Sequence, residues 1–108
     1  MDKINFNKES LSFWILEGSI DYEDNKFAIL VNYTSKEGAL KIVKNKNNGL
    51  QVYYDYKNNG KCSLTTEASD FDNKKKHMVA VTWSMENLEV ILYIDGKKRA
   101  RCDIDVSP

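Results

Sequence analysis

Gln51, Tyr53 and Asp55 are the residues of this 108-residue chain whose types and spacing best suit recognition of a small polar ligand. They alternate with Val52, Tyr54 and Tyr56, so an extended segment carries an aromatic ring between an amide and a carboxylate on one face and an apolar surface on the other. An aromatic face stacks on a pyranose ring, and flanking amides and carboxylates reach sugar hydroxyls. Six tyrosines and two tryptophans give the chain a high aromatic load for such a role, and Asn32 and Tyr33 extend the candidate set from a second segment. The competing reading is that these tyrosines fill ordinary strand positions, where aromatic residues are favoured.

Other chemistry is poorly provided for. His77 is the only histidine, so a Ser-His-Asp or Cys-His arrangement would have to use it, and it reads as the structural first residue of a strand. Glu67, Asp70 and Asp72 form the nearest acidic cluster, but they fall in a turn-like segment and not along one strand face, where a glycoside hydrolase needs its paired carboxylates. Cys62 and Cys102 match no zinc spacing. Alternating apolar neighbours favour buried thiols for both, and a disulfide between them is the alternative if their strands are adjacent, a distance sequence does not supply. Lys74-Lys75-Lys76 is a basic run that reads as solvated loop.

The elements that must position these residues are strands. Runs of strand length cover Leu11 to Leu16, Lys26 to Tyr33, Ala39 to Val43, Leu50 to Tyr56, Lys61 to Thr66, Met78 to Ser84, Leu88 to Ile94 and Arg99 to Val106. Turns rich in Asn, Lys and Gly separate them, among them Glu17-Gly18, Lys44 to Gly49 and Lys57 to Gly60. No window carries an apolar stripe at helical period, so the fold class is all-β. Alternation assigns the core to Leu11, Phe13 and Ile15; Phe27, Ile29 and Val31; Leu40 and Ile42; Val52, Tyr54 and Tyr56; Val79, Val81 and Trp83; Val90 and Leu92; and Ala100, Cys102 and Ile104. His77 to Lys97 reads as an antiparallel hairpin whose second strand runs into Asp95-Gly96, a dipeptide suited to a further tight turn.

That hairpin resembles the signature of the concanavalin A-like lectins and glucanases and of laminin G-like domains, in which a His-x-Val-Ala strand carrying Thr-Trp precedes one ending Tyr-x-Asp-Gly-Lys. Ser10-Leu11-Ser12-Phe13-Trp14-Ile15 is similar to the opening strand of the same superfamily, and the two segments stand in the expected order. The resemblance implies an antiparallel two-sheet β-sandwich of jelly-roll type, shorter than its usual members. It also breaks the tie between a sandwich and a barrel, and Cys102 to Val106 only faintly echoes the usual closing strand. It allows calcium at a sheet rim, for which Asp21, Glu23, Asp24 and Asn25 or Asp70, Asp72 and Asn73 would supply oxygens; neither set matches a dedicated loop motif, and solvated turn acids are the preferred reading.

Residues 1–108 therefore read as one laminin G-like or concanavalin A-like domain, trimmed or cut from a larger protein. Sixteen basic and sixteen acidic side chains cancel, which argues against nucleic acid as a partner. No segment is long and apolar enough for membrane insertion, and no signal peptide opens the chain. The expected function is noncatalytic recognition of carbohydrate or of a protein surface, without a required cofactor, within an extracellular or cell-surface protein. The alternative is a structural or assembly domain that pairs through a sheet edge, as a homodimer or with the rest of its parent, using the first or last strand.

Overall fold

The computed structural model describes residues 4–16, 20–21, 23–67 and 75–106. Eight strands follow one another: β1 (Lys8–Ile15), β2 (Ala28–Thr34), β3 (Gly38–Lys44), β4 (Leu50–Tyr56), β5 (Gly60–Thr65), β6 (His77–Ser84), β7 (Glu89–Ile94) and β8 (Lys97–Asp103). They form two antiparallel four-stranded sheets, ordered β1-β6-β7-β8 and β2-β3-β4-β5. No helix occurs among the described residues. The arrangement is a β-sandwich made of two meanders, with β1 added at the edge of the second.

Alternation explains the core. Leu40, Ile42, Leu50, Val52 and Tyr54 from one sheet are buried with Val79, Val81, Trp83, Val90, Leu92 and Ile94 from the other. Opposite faces of these strands are wetter, as period-two side chains require. Hairpin chemistry fixes the registers. Asp95 and Gly96 both take positive φ (54° and 82°), the combination of a type I′ turn. Asn48 and Asn58 take the same left-handed region in the β3–β4 and β4–β5 turns, which explains why asparagine punctuates the sequence there. Gly38 is needed for another reason: a Cβ there would lie 2.2 Å from the Asp55 carbonyl oxygen.

Three expectations need correction. Phe27 and Ile29 are exposed (55% and 58%), because the β2–β3 register shifts between Ile29 and Val31. Leu30 is the extra residue of this bulge, and past it the alternation changes face. Phe13 packs against the core but is half-buried, as β1 is an edge strand. The segment before β1, to which alternation assigned no role, fills the space between the sheets: Phe6 is buried against the rings of Tyr33, Tyr54 and Tyr56. Its backbone is satisfied by core side chains, with Tyr54 Oη donating to the Phe6 carbonyl and Trp83 Nε1 to that of Asn5. Burial pushes the Tyr54 phenol pKa up, so it stays a donor.

The sheets are also joined covalently. Cys62 of β5 and Cys102 of β8 form a disulfide with a Cα–Cα distance of 6.1 Å. Beside it the chain leaves β8 and bridges β5, Lys61 and Asp105 exchanging both backbone bonds (3.1 and 2.8 Å). The segment Cys102 to Val106 thus meets β5, and no described strand lies beyond β1.

Candidate functional site

The pairings of β2 through β5 order the outer face of their sheet into rows. Asn32, Lys41, Tyr53 and Ser63 stand in one row; Thr34, Ala39, Asp55 and Lys61 stand in the next; Ile29, Val43, Gln51 and Thr65 flank Tyr53 on its other side. Gln51, Tyr53, Asp55 and Asn32 therefore share a face, as expected from sequence. Tyr33 does not. It points inward against Phe6, where its hydroxyl accepts the Ile4 N–H, so it is no part of this surface.

Tyr53 is 41% exposed and its ring is held in place. Its hydroxyl donates to Gln51 Oε1 at 3.0 Å, and Gln51 Nε2 donates to Thr65 Oγ1 at 3.2 Å. This short chain fixes which end of the Gln51 amide faces the Tyr53 hydroxyl. Lys41 lies across from Tyr53 and Lys61 across from Asp55, both exposed.

A cleft of 680 Å³ opens beside this ring, lined by Lys41, Tyr53, Asp55 and Ser63 on the sheet and by Asp103 and Asp105 on its far wall. Sequence reasoning missed the lysines, Ser63 and the two aspartates. Lys41, Lys61 and Ser63 could have been found by pairing the flanking hairpins in register. Asp103 and Asp105 could not, because only the disulfide and the Lys61–Asp105 bridge bring them to β5. Asp103 accepts from Arg101 Nη2 at 2.8 Å, and that bond, with a second that Arg101 donates to Glu89 Oε2, raises the Arg101 pKa further above its already high value. The cleft can offer an aromatic face, carboxylate acceptors and ammonium donors.

Two further polar groups are committed to structure. His77 is buried at the start of β6, with Nδ1 2.7 Å from Asp95 Oδ2, while Asp95 Oδ1 accepts the Met78 N–H at 2.9 Å. Partial burial on its own would raise the Asp95 pKa, but these bonds outweigh it and hold the carboxyl below the usual range. The pair anchors the type I′ turn to the strand before it.

Lys44 is the other, a lysine 1% exposed at the opposite end of β3 from Gly38. Its Nζ donates to Asp24 Oδ1 at 2.6 Å, to the Lys26 carbonyl, and to Asn48 Oδ1 at 3.3 Å. The bond from Lys44, helped by the Lys26 N–H, lowers the Asp24 pKa. Of the loop acids named for calcium, Asp24 has its Oδ1 engaged by the buried Lys44 ammonium, around which the Lys26 carbonyl and Asn48 Oδ1 also gather. Among the described residues no group of three metal-type side chains exists. Asp70, Asp72 and Asn73 lie outside the described residues, as do Glu17-Gly18 and Lys74.

No described helix is long and apolar enough to cross a membrane. Set against protein-family models, curated proteins and solved structures, the chain matches none of them.

Proposed function

We propose that this chain is a noncatalytic recognition module of the concanavalin A-like, laminin G-like class, and that it binds carbohydrate in the cleft beside Tyr53. The half-exposed, hydrogen-bonded Tyr53 ring on the wall of a cleft that also carries lysine and aspartate side chains supports the reading. A concave site of 680 Å³ has the volume of a small-ligand pocket, which favours a sugar over a flat protein surface. The class assignment draws support from the pairing of the two motif segments: β1, with Ser-Phe-Trp, lies directly beside β6, with Thr-Trp. An exported or cell-surface setting is supported by the Cys62–Cys102 disulfide, because such bonds persist in oxidising compartments. The one histidine is paired with Asp95 at the start of β6 and is not among the residues that line the cleft.

The test is a glycan array followed by titration calorimetry on the best ligand with the wild type and Tyr53→Ala. Loss of an aromatic stacking partner should weaken binding by roughly tenfold or more. The melting temperature should hardly move, as Tyr53 lies outside the core. Absence of any glycan binding at millimolar ligand, or binding indifferent to Tyr53→Ala, would overturn the proposal.

A further inference from the structure

The sandwich has four sheet edges, and three are guarded. The β5 and β8 edges meet and are tied by the Lys61–Asp105 bridge and the Cys62–Cys102 disulfide. The β2 edge is interrupted by its bulge. The β1 edge has no such device: eight residues run without proline or bulge, charge is confined to Lys8 and Glu9 at one end, and among the described residues no strand pairs its outer side.

Which backbone groups face outward can be worked out. The Met85 N–H donates to the Asn7 carbonyl one step beyond the Lys8–Ser84 pair, so the odd-numbered residues of β1 carry the ladder to β6. The Asp95 N–H donates to the Met78 carbonyl, so even-numbered residues of β6 face β7 and leave the odd ones for β1, in agreement. Lys8, Ser10, Ser12 and Trp14 therefore direct their N–H and C=O groups at the open edge.

We propose that this edge is an interaction surface for a second copy of the chain, pairing β1 antiparallel with β1 about a two-fold axis to give one continuous eight-stranded sheet. The charge distribution selects this occupant and direction. Parallel pairing would set Lys8 beside Lys8 and Glu9 beside Glu9. Antiparallel pairing about Leu11 sets the charged end of each copy against the uncharged end of the other, with Lys8 across from Trp14 and Ser10 across from Ser12. Trp14, 52% exposed, already receives one lysine over its ring, Lys76 Nζ at 5.0 Å from the centroid, so a second cation on its open side is chemically matched. The cleft beside Tyr53 lies towards the β5 and β8 side of each copy, away from β1, and stays open in the dimer.

Sedimentation equilibrium and hydrogen exchange test this together. Wild type should sediment at twice 12.5 kDa as concentration rises, and the Ser10 and Ser12 amides should slow with it while Leu11 and Phe13 are protected throughout. Ser12→Pro removes an outward N–H that does no work in the single copy, so the variant should fold and stay at 12.5 kDa. If the proline disturbs folding, the double variant Ser10→Lys/Ser12→Lys keeps every N–H, sets lysine against lysine across the axis, and should likewise remain a single copy. A wild type that stays single up to its solubility limit, or a dimer that survives either folded variant, overturns the proposal.

Discussion

Reducing the Cys62–Cys102 bond should remove a large part of this domain's stability. The bond closes a loop with a sequence separation of 40, and the chain-entropy relation for a loop of that length gives about 4 kcal/mol. A domain of this size has about 5–15 kcal/mol in all, so the crosslink is about a quarter of it at the upper end of that range and most of it at the lower end. Reduced wild type is the better comparison than a cysteine variant, because both sulfur atoms remain and no cavity is made among the core neighbours of the two half-buried residues. With an m value of about 1.5 kcal/mol/M in urea, the midpoint should fall by roughly 2–3 M on reduction. A thiol titration before and after treatment establishes the state being measured. Loss should also be local: the Lys61 and Asp105 amides, bonded to each other beside the crosslink, should exchange faster before the rest of the sheet does. If oxidised and fully reduced protein unfold within a few tenths of a molar of each other, the two sheets are held by packing alone and the reasoning fails.

Other expectations follow from single positions. Gly96→Val should cost roughly 1–3 kcal/mol from backbone strain alone. The residue sits at φ 82° with nothing near its would-be Cβ, so Gly96→Asn should recover most of the loss in a denaturant titration. Phe6→Ala should cost about 3–5 kcal/mol; a loss under 1 kcal/mol would mean that the segment before β1 is not docked among Tyr33, Tyr54 and Tyr56. The carboxyls of Asp24 and Asp95 have folded pKa values below their usual range, so the stability they add is complete above the unfolded value near 4 and is lost as pH falls through the folded values. Urea midpoints measured from neutral pH downward should therefore drop less steeply below about pH 4 in Asp24→Asn/Asp95→Asn than in wild type; identical slopes would exclude these two groups as the cause.

Local chemistry made much of the molecule legible. Alternation placed Val79, Val81 and Trp83 inward, separated Tyr53 from Val52 and Tyr54, and put β4 at Leu50–Tyr56, the bounds it has in the structure. Asp-Gly specified a type I′ turn because few other residues tolerate two successive positive φ values. These features depend on neighbours in sequence, and their signals survive in one dimension.

What only the tertiary structure decided depends on residues far apart in the chain. A single bulge residue, Leu30, moved Phe27 and Ile29 to the outside, and it carries no composition signal because an extra residue in one strand is defined only by its partner. Lys44 reads as a surface lysine until Asp24, Lys26 and Asn48 close over its ammonium. Phe6 belongs to no strand and is buried only because two sheets leave a gap at one end that a ring fills. The far wall of the cleft exists because Cys102 meets Cys62 across the sandwich. Sequence period sets which face a side chain takes within its own strand; which strands, loops and termini come to share that face is fixed by long-range packing, whose cost and gain no local window contains.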